Sequence, residues 1–215
     1  YRALGESGDP WAARAAAEVL VKGEAGTADF AAGIAVLRPF AEKGDAGVAA
    51  TIGDYFADAR WGGQSAEEAI RYYEQAITLG NAGTVMRLAD LYRRGTAAYE
   101  PDPERAAEVL RTAAASGNSA AMRGLAAMLL DGTLPEDQAE ARALFQQAID
   151  SGDTDASVAF AREISKGRFD GLGADDAVAL VKLLAEGGHP GAKRLVADLL
   201  RSGGEGLASD PTGSL

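Results

Sequence analysis

Small and apolar residues are spaced four apart along this chain, and the pattern restarts every 35–37 residues. Each restart is a turn of the form Gly-polar-x-x-small. It occurs as Gly8-Asp9-Pro10-Trp11-Ala12, Gly44-Asp45-Ala46-Gly47-Val48, Gly80-Asn81-Ala82-Gly83-Thr84, Gly117-Asn118-Ser119-Ala120-Ala121, Gly152-Asp153-Thr154-Asp155-Ala156 and Gly188-His189-Pro190-Gly191-Ala192. The first glycines are separated by 36, 36, 37, 35 and 36 residues. A fixed period of this length is the signature of a solenoid.

Within each period two helices are legible. Eight residues past the turn glycine stand Ala16, Ile52, Leu88, Leu125, Phe160 and Val196, followed directly by Ala17, Gly53, Ala89, Ala126, Ala161 and Ala197. Twelve past it stand Leu20, Phe56, Tyr92, Leu129, Ile164 and Leu200. Steps of four keep these on one helix face, and the small position lets a neighbouring helix come close. A second helix is read backwards from the next turn. Leu37, Tyr73, Leu110, Phe145 and Val181 lie seven before its glycine, and Gly33, Ala69, Ala106, Ala141 and Ala177 eleven before it. Ser65-Ala66-Glu67-Glu68 reads as a capping box, and Asp102-Pro103 as a cap followed by proline at the first helical position.

The periodicity predicts an all-α fold, a right-handed α/α solenoid of antiparallel helix pairs. Units start near residues 8, 44, 80, 117, 152 and 188, with half repeats at both ends. Residues 1–203 form one solenoid in this reading, and 204–215 an inter-helix loop or tail. Because solenoids carry polar capping repeats, the expectation is a piece of a longer array.

Composition narrows the chemistry. A formal charge of −11 opposes nucleic-acid binding and a polybasic membrane contact. The absence of cysteine removes disulfides, thiolate metal sites and a cysteine nucleophile. The single histidine, His189, occupies a turn position whose siblings are Asp or Asn, so it reads as a turn residue. Asp150, Asp153 and Asp155 lack the glycine and terminal glutamate of a calcium loop, and no phosphate-binding glycine motif is present. The reading is therefore no enzyme, no cofactor and no metal.

The unit Gly80-Asn81-Ala82-Gly83-Thr84, Leu88-Ala89, Leu91-Tyr92 and Gly95, with Ala69-Ile70-Arg71-Tyr72-Tyr73-Glu74-Gln75-Ala76-Ile77, resembles the Sel1-like repeat (SLR), a relative of the tetratricopeptide repeat. The inter-helix loop departs from the family pattern, as in Gly132-Thr133-Leu134-Pro135-Glu136-Asp137. The resemblance implies an α-solenoid that scaffolds protein complexes, in many cases in the bacterial envelope, including polysaccharide secretion and signalling assemblies. It implies a protein or peptide partner and a periplasmic or outer-membrane-associated location. Direct contact with an exported carbohydrate, and a cytoplasmic signalling scaffold, are the alternatives.

First helices of such pairs commonly line a concave binding face. The variable stripe on them comprises Thr51, Asp54, Asp58, Arg87, Asp90, Arg94, Asp131, Arg162, Lys166 and Asp198, running from acidic through mixed to basic. These residues are expected to select a polar partner by charge complementarity. The competing reading is a solvated face with helix-spaced pairs such as Arg87–Asp90 or Asp90–Arg94. The loop aromatics Trp61 and Tyr99 are the second candidates, as hot spots or as rings folded back over a helix end.

Overall fold

A computed structural model describes residues 8–24 and 26–201. Eleven α-helices are present among them: α1 (Pro10–Lys22), α2 (Phe30–Glu42), α3 (Ala46–Ala57), α4 (Ala66–Thr78), α5 (Thr84–Arg94), α6 (Pro103–Ala115), α7 (Ser119–Leu130), α8 (Gln138–Asp150), α9 (Thr154–Ser165), α10 (Ala174–Glu186) and α11 (Pro190–Arg201). Among the described residues there is no strand beyond an isolated bridge between Thr96 and Tyr99. No helix among the described residues is long and apolar enough to cross a membrane.

The turns begin the helices as their sequence predicts. Asp45, Asn118 and Asp153 accept from the backbone N–H of Val48, Ala121 and Ala156, satisfying donors that the first helical turn leaves open. His189 does the same through Nδ1, which accepts from Ala192 N at 3.3 Å. The preceding turn glycines hold φ between 75° and 95°, a region closed to most side chains. Ser65 caps α4 through Glu68 N, but the box is only half made. The Ser65 N–H is already taken by Phe56 O, so Glu68 turns its carboxylate to Arg71.

The chain divides into two compact units, residues 1–110 and 111–215, with the boundary inside α6. In the first unit α1 packs on α2 and α3 on α4, and each pair leans on the next through α2–α3 and α4–α5. Its core joins Ala13, Ala17, Val21, Leu37, Phe40, Ile52, Tyr55 and Tyr72. In the second unit α7 pairs with α8 and α9 with α10, while α9 also touches α7 and α11. Phe145, Phe160 and the loop residue Phe169 form its aromatic centre, with centroids 5.1–6.5 Å apart. All five residues at the position seven before each turn glycine are buried.

Candidate functional site

In the first unit each first helix carries an acid ten residues past the turn glycine, namely Glu18 on α1, Asp54 on α3 and Asp90 on α5. Four residues on, one helical turn away, Glu18 meets Lys22, and Asp90 meets Arg94 at 2.7 Å through Nε. In the middle helix the equivalent position is Asp58 rather than a cation. Asp54 therefore has no partner on its own helix. Arg87 reaches back from α5 to its Oδ2, and the Tyr73 hydroxyl of α4 donates to its Oδ1 at 2.9 Å. Of the helix-spaced pairs Arg87–Asp90 and Asp90–Arg94 in the competing reading, the second forms, and with Arg93 it occupies the carboxylate that Arg87 would have met.

These residues line one cleft of about 390 Å³ within the first unit, whose walls include Asp54, Asp58, Arg87, Asp90 and Arg94, with Tyr73 contributing from α4. Five of the ten stripe residues thus converge. Burial raises the Asp54 carboxyl above its ordinary pKa, and the bonds from Tyr73 and Arg87 offset only part of this. Burial also pushes Asp90 upward, but Arg94 and Arg93 outweigh it and hold this carboxyl below the usual range. Asp58 is held low by the Arg60 side chain and backbone N–H. Burial, with Asp54 beside it, drives the Tyr73 hydroxyl well above an ordinary phenol. Tyr55 on α3 is pushed up to about 12 by burial, with Glu18 and Asp54 adding to it.

Other stripe residues stand apart from this cleft. Thr51 turns its hydroxyl to Gly47 O, and Asp131 bonds Thr133 in the following turn. Lys166 pairs with Glu163 at 2.6 Å and Asp198 with Arg201 at 3.1 Å. Arg162 is exposed on α9. Both loop aromatics are half-buried. Trp61 packs on the first unit's core, edge-on to Tyr55 with centroids 6.2 Å apart, under the Arg60 guanidinium. Tyr99 lies against Tyr92, also at 6.2 Å. Tyr73 was missed from sequence because its position is a core position in every other unit. The available signal was a hydroxyl there, which needs a partner when buried.

Three stretches of this chain match a known repeat family. Residues 56–81, 85–118 and 119–153 match the Sel1 repeat family. A Sel1 repeat protein from Oxalobacter formigenes superposes with a TM-score of 0.58 at 19% identity, covering 82% of this chain and 71% of that one. The antigen c5321, described as protective, present in uropathogenic Escherichia coli strains and displaying an SLR fold, gives 0.58 at 22% identity. That match covers 91% of this chain but only 42% of the antigen. A putative sel1 repeat protein from Klebsiella pneumoniae gives 0.50 at 18% identity, covering 92% and 94%. No curated protein matches the sequence. At these identities the structural likeness speaks for the fold alone. Sel1 repeat proteins are in general non-catalytic scaffolds for protein interaction.

Proposed function

On the premise that the chain is an α-solenoid of Sel1 repeats, we propose that it is a non-catalytic protein–protein interaction scaffold that reads a polar segment of its partner at the cleft between α3 and α5. The observation that carries this reading is the convergence of Asp54, Asp58, Arg87, Asp90 and Arg94 from two successive repeats on one concavity. Their ion pairs are half-exposed, with the Arg87 and Arg94 side chains 50% and 68% accessible. Pairs in that setting contribute little to folding, on the order of 0.2–1 kcal/mol each, so a partner's charges can replace them at small cost. Mixed signs set register and reject mismatched partners more than they add raw affinity.

The resemblance supports a further step: the partner is a bacterial envelope component, in polysaccharide secretion or signalling machinery, met in the periplasm or at the outer membrane. Contact with a glycan is the less favoured reading, because the aromatic faces it would use fold onto Tyr55 and Tyr92. Capture from native cells with the tagged full-length protein tests the proposal, alongside an Arg87→Glu/Arg94→Glu form of unchanged helicity. A dominant envelope protein lost in the reversed form is the expected result. Equal capture by both forms removes the cleft from recognition. Retention of cell-surface glycan without protein moves the carbohydrate reading ahead, and recovery of a soluble cytosolic partner moves the location.

A further inference from the structure

Every carboxylate oxygen lining the cleft between α3 and α5 is already bonded. Asp54 accepts from Tyr73 at Oδ1 and from Arg87 at Oδ2. Asp58 accepts at Oδ1 from the Arg60 backbone N–H, and at both oxygens from the Arg60 guanidinium. Asp90 accepts at Oδ1 from Arg93 and Arg94, and at Oδ2 from Arg94 again. The donors, by contrast, are not used up. A guanidinium carries five N–H groups. Among the described residues Arg87 donates from Nη1 alone, and Arg94 from Nε and Nη2. Both side chains are at least half accessible. An incoming cation finds no carboxylate oxygen without a donor, whereas an incoming carboxylate finds open N–H groups and forms the stronger, charge-assisted kind of bond.

Arg87 and Arg94 lie seven residues apart on α5, so their backbones stand about 10 Å apart on one face of the helix. Arg87 leans across to α3, while Arg94 stays on its own helix with Asp90. They therefore offer two positions for singly charged groups. A polyproline-type segment turns once every three residues and rises about 3.1 Å per residue, which sets acids at i and i+3 on one side, about 9 Å apart. The chain's formal charge of −11 opposes such a partner at long range. At physiological salt, however, exposed charges more than about 8 Å apart are largely screened, so the donors at contact decide.

Resting on the reading of this cleft as the recognition site, we propose that what it takes is an acidic segment of the partner protein, extended, with carboxylates three residues apart, one bound by Arg87 and one by Arg94. Asp54 is then the internal competitor of the ligand, because Arg87 must share its guanidinium or leave that carboxylate. An anionic glycan carries carboxylates too, but Trp61 and Tyr99, the rings it would stack on, are packed against Tyr55 and Tyr92.

Fluorescence anisotropy tests this with a short labelled peptide carrying glutamates three residues apart in a proline frame, titrated with the 215-residue chain to about 1 mM. The expected result is saturable binding of the glutamate peptide and none of its glutamine or lysine versions. Arg87→Gln/Arg94→Gln should weaken it about tenfold or more. Asp54→Asn keeps an acceptor for Tyr73 but frees Arg87, and should tighten binding about threefold, a gain that a purely structural role would not produce. Circular dichroism confirms that each variant is folded. The proposal is overturned if the glutamate peptide does not bind, if its binding ignores Arg87→Gln/Arg94→Gln, if the lysine peptide binds instead, or if an oligogalacturonate of equal charge binds more tightly. Any of these, alongside cellular capture that is still lost in Arg87→Glu/Arg94→Glu, removes the acidic segment and leaves the cleft as the recognition site. Capture equal in both forms removes the site, and this proposal with it.

Discussion

The Tyr73 hydroxyl donates to Asp54 Oδ1 at 2.9 Å, placing a phenol from a second helix beneath a carboxylate that its own helix leaves without a cation. This bond favours ionised Asp54, whose pKa burial already raises above 3.8. Tyr73→Phe is therefore expected to raise it further. A carboxyl with a raised folded-state pKa costs stability above that pKa and ceases to do so below its unfolded value. The variant's deficit, about 1 kcal/mol at neutral pH, should shrink as pH falls through the raised folded value and be gone below the ordinary aspartate value. Carboxyl NMR titration of Asp54, with urea unfolding at pH 7 and pH 3, reads both effects. An Asp54 pKa unmoved or lowered by Tyr73→Phe would refute the assignment.

Arg123 and Asp153 make the opposite case. Burial raises the Asp153 carboxyl, but the Ser119 hydroxyl, Arg123 and the α9 N–H together bring it below its usual value. Its contribution is present above the unfolded pKa and disappears as pH drops through the folded one. Asp153→Asn keeps a cap, as Asn118 shows, but strands Arg123, at a cost of about 1 kcal/mol. Adding Arg123→Met copies the combination of Met86 with Asn118 and should return most of the loss. A double-mutant cycle by urea unfolding measures this coupling. Simple additivity would mean that the pair is not a unit.

Helix positions were legible because each helix must bury a face at steps of four, and the same slots recur six times along the chain. The partners of the charged stripe were not. Asp90 and Arg94 are one helical turn apart, so their pairing follows from local spacing. Arg87 and Asp54 are 33 residues apart, and their pairing follows from Asp58 standing where Lys22 and Arg94 stand in the flanking helices. The matching of Arg14 to Asp45 and of Arg123 to Asp153, each the aspartate of the next turn, was present in the sequence too. It acquires meaning only once each first helix is seen beside the following turn. Trp61 and Tyr99 lie beside the rings of Tyr55 and Tyr92, contacts between residues that spacing along one helix does not relate.

Gly53 lies against the ring of Tyr73, which lines the cleft. It holds the small position filled by alanine elsewhere, yet a methyl there would lie 2.5 and 2.6 Å from Tyr73 Cδ1 and Cε1. Gly53→Ala gains helix propensity of about 1 kcal/mol but must displace the ring, at about 1–3 kcal/mol. We expect net destabilisation in thermal unfolding, together with loss of the Asp54 contact. Adding Tyr73→Leu, to give the pair present at Ala89 and Leu110, should relieve the clash without restoring the hydrogen bond. If Gly53→Ala alone raised the melting temperature, the ring would have room that this packing denies it.

Thr84 supplies the last prediction. It opens α5 at a position where Val48 opens the same turn of α3, and it is 1% exposed. Its Oγ1 has no hydrogen-bond partner among the described residues. A buried hydroxyl left unmatched costs on the order of 1–3 kcal/mol, whereas the methyl that shares its Cβ packs favourably. Thr84→Val keeps the shape and removes the unmatched oxygen, so unfolding should become harder by about 1 kcal/mol. Thr84→Ser keeps the oxygen and loses the methyl, so it should become easier by a similar amount, about 1 kcal/mol. Urea midpoints for the two variants, at equal slope, separate the contributions. A valine variant less stable than the parent would show that the hydroxyl is satisfied in solution.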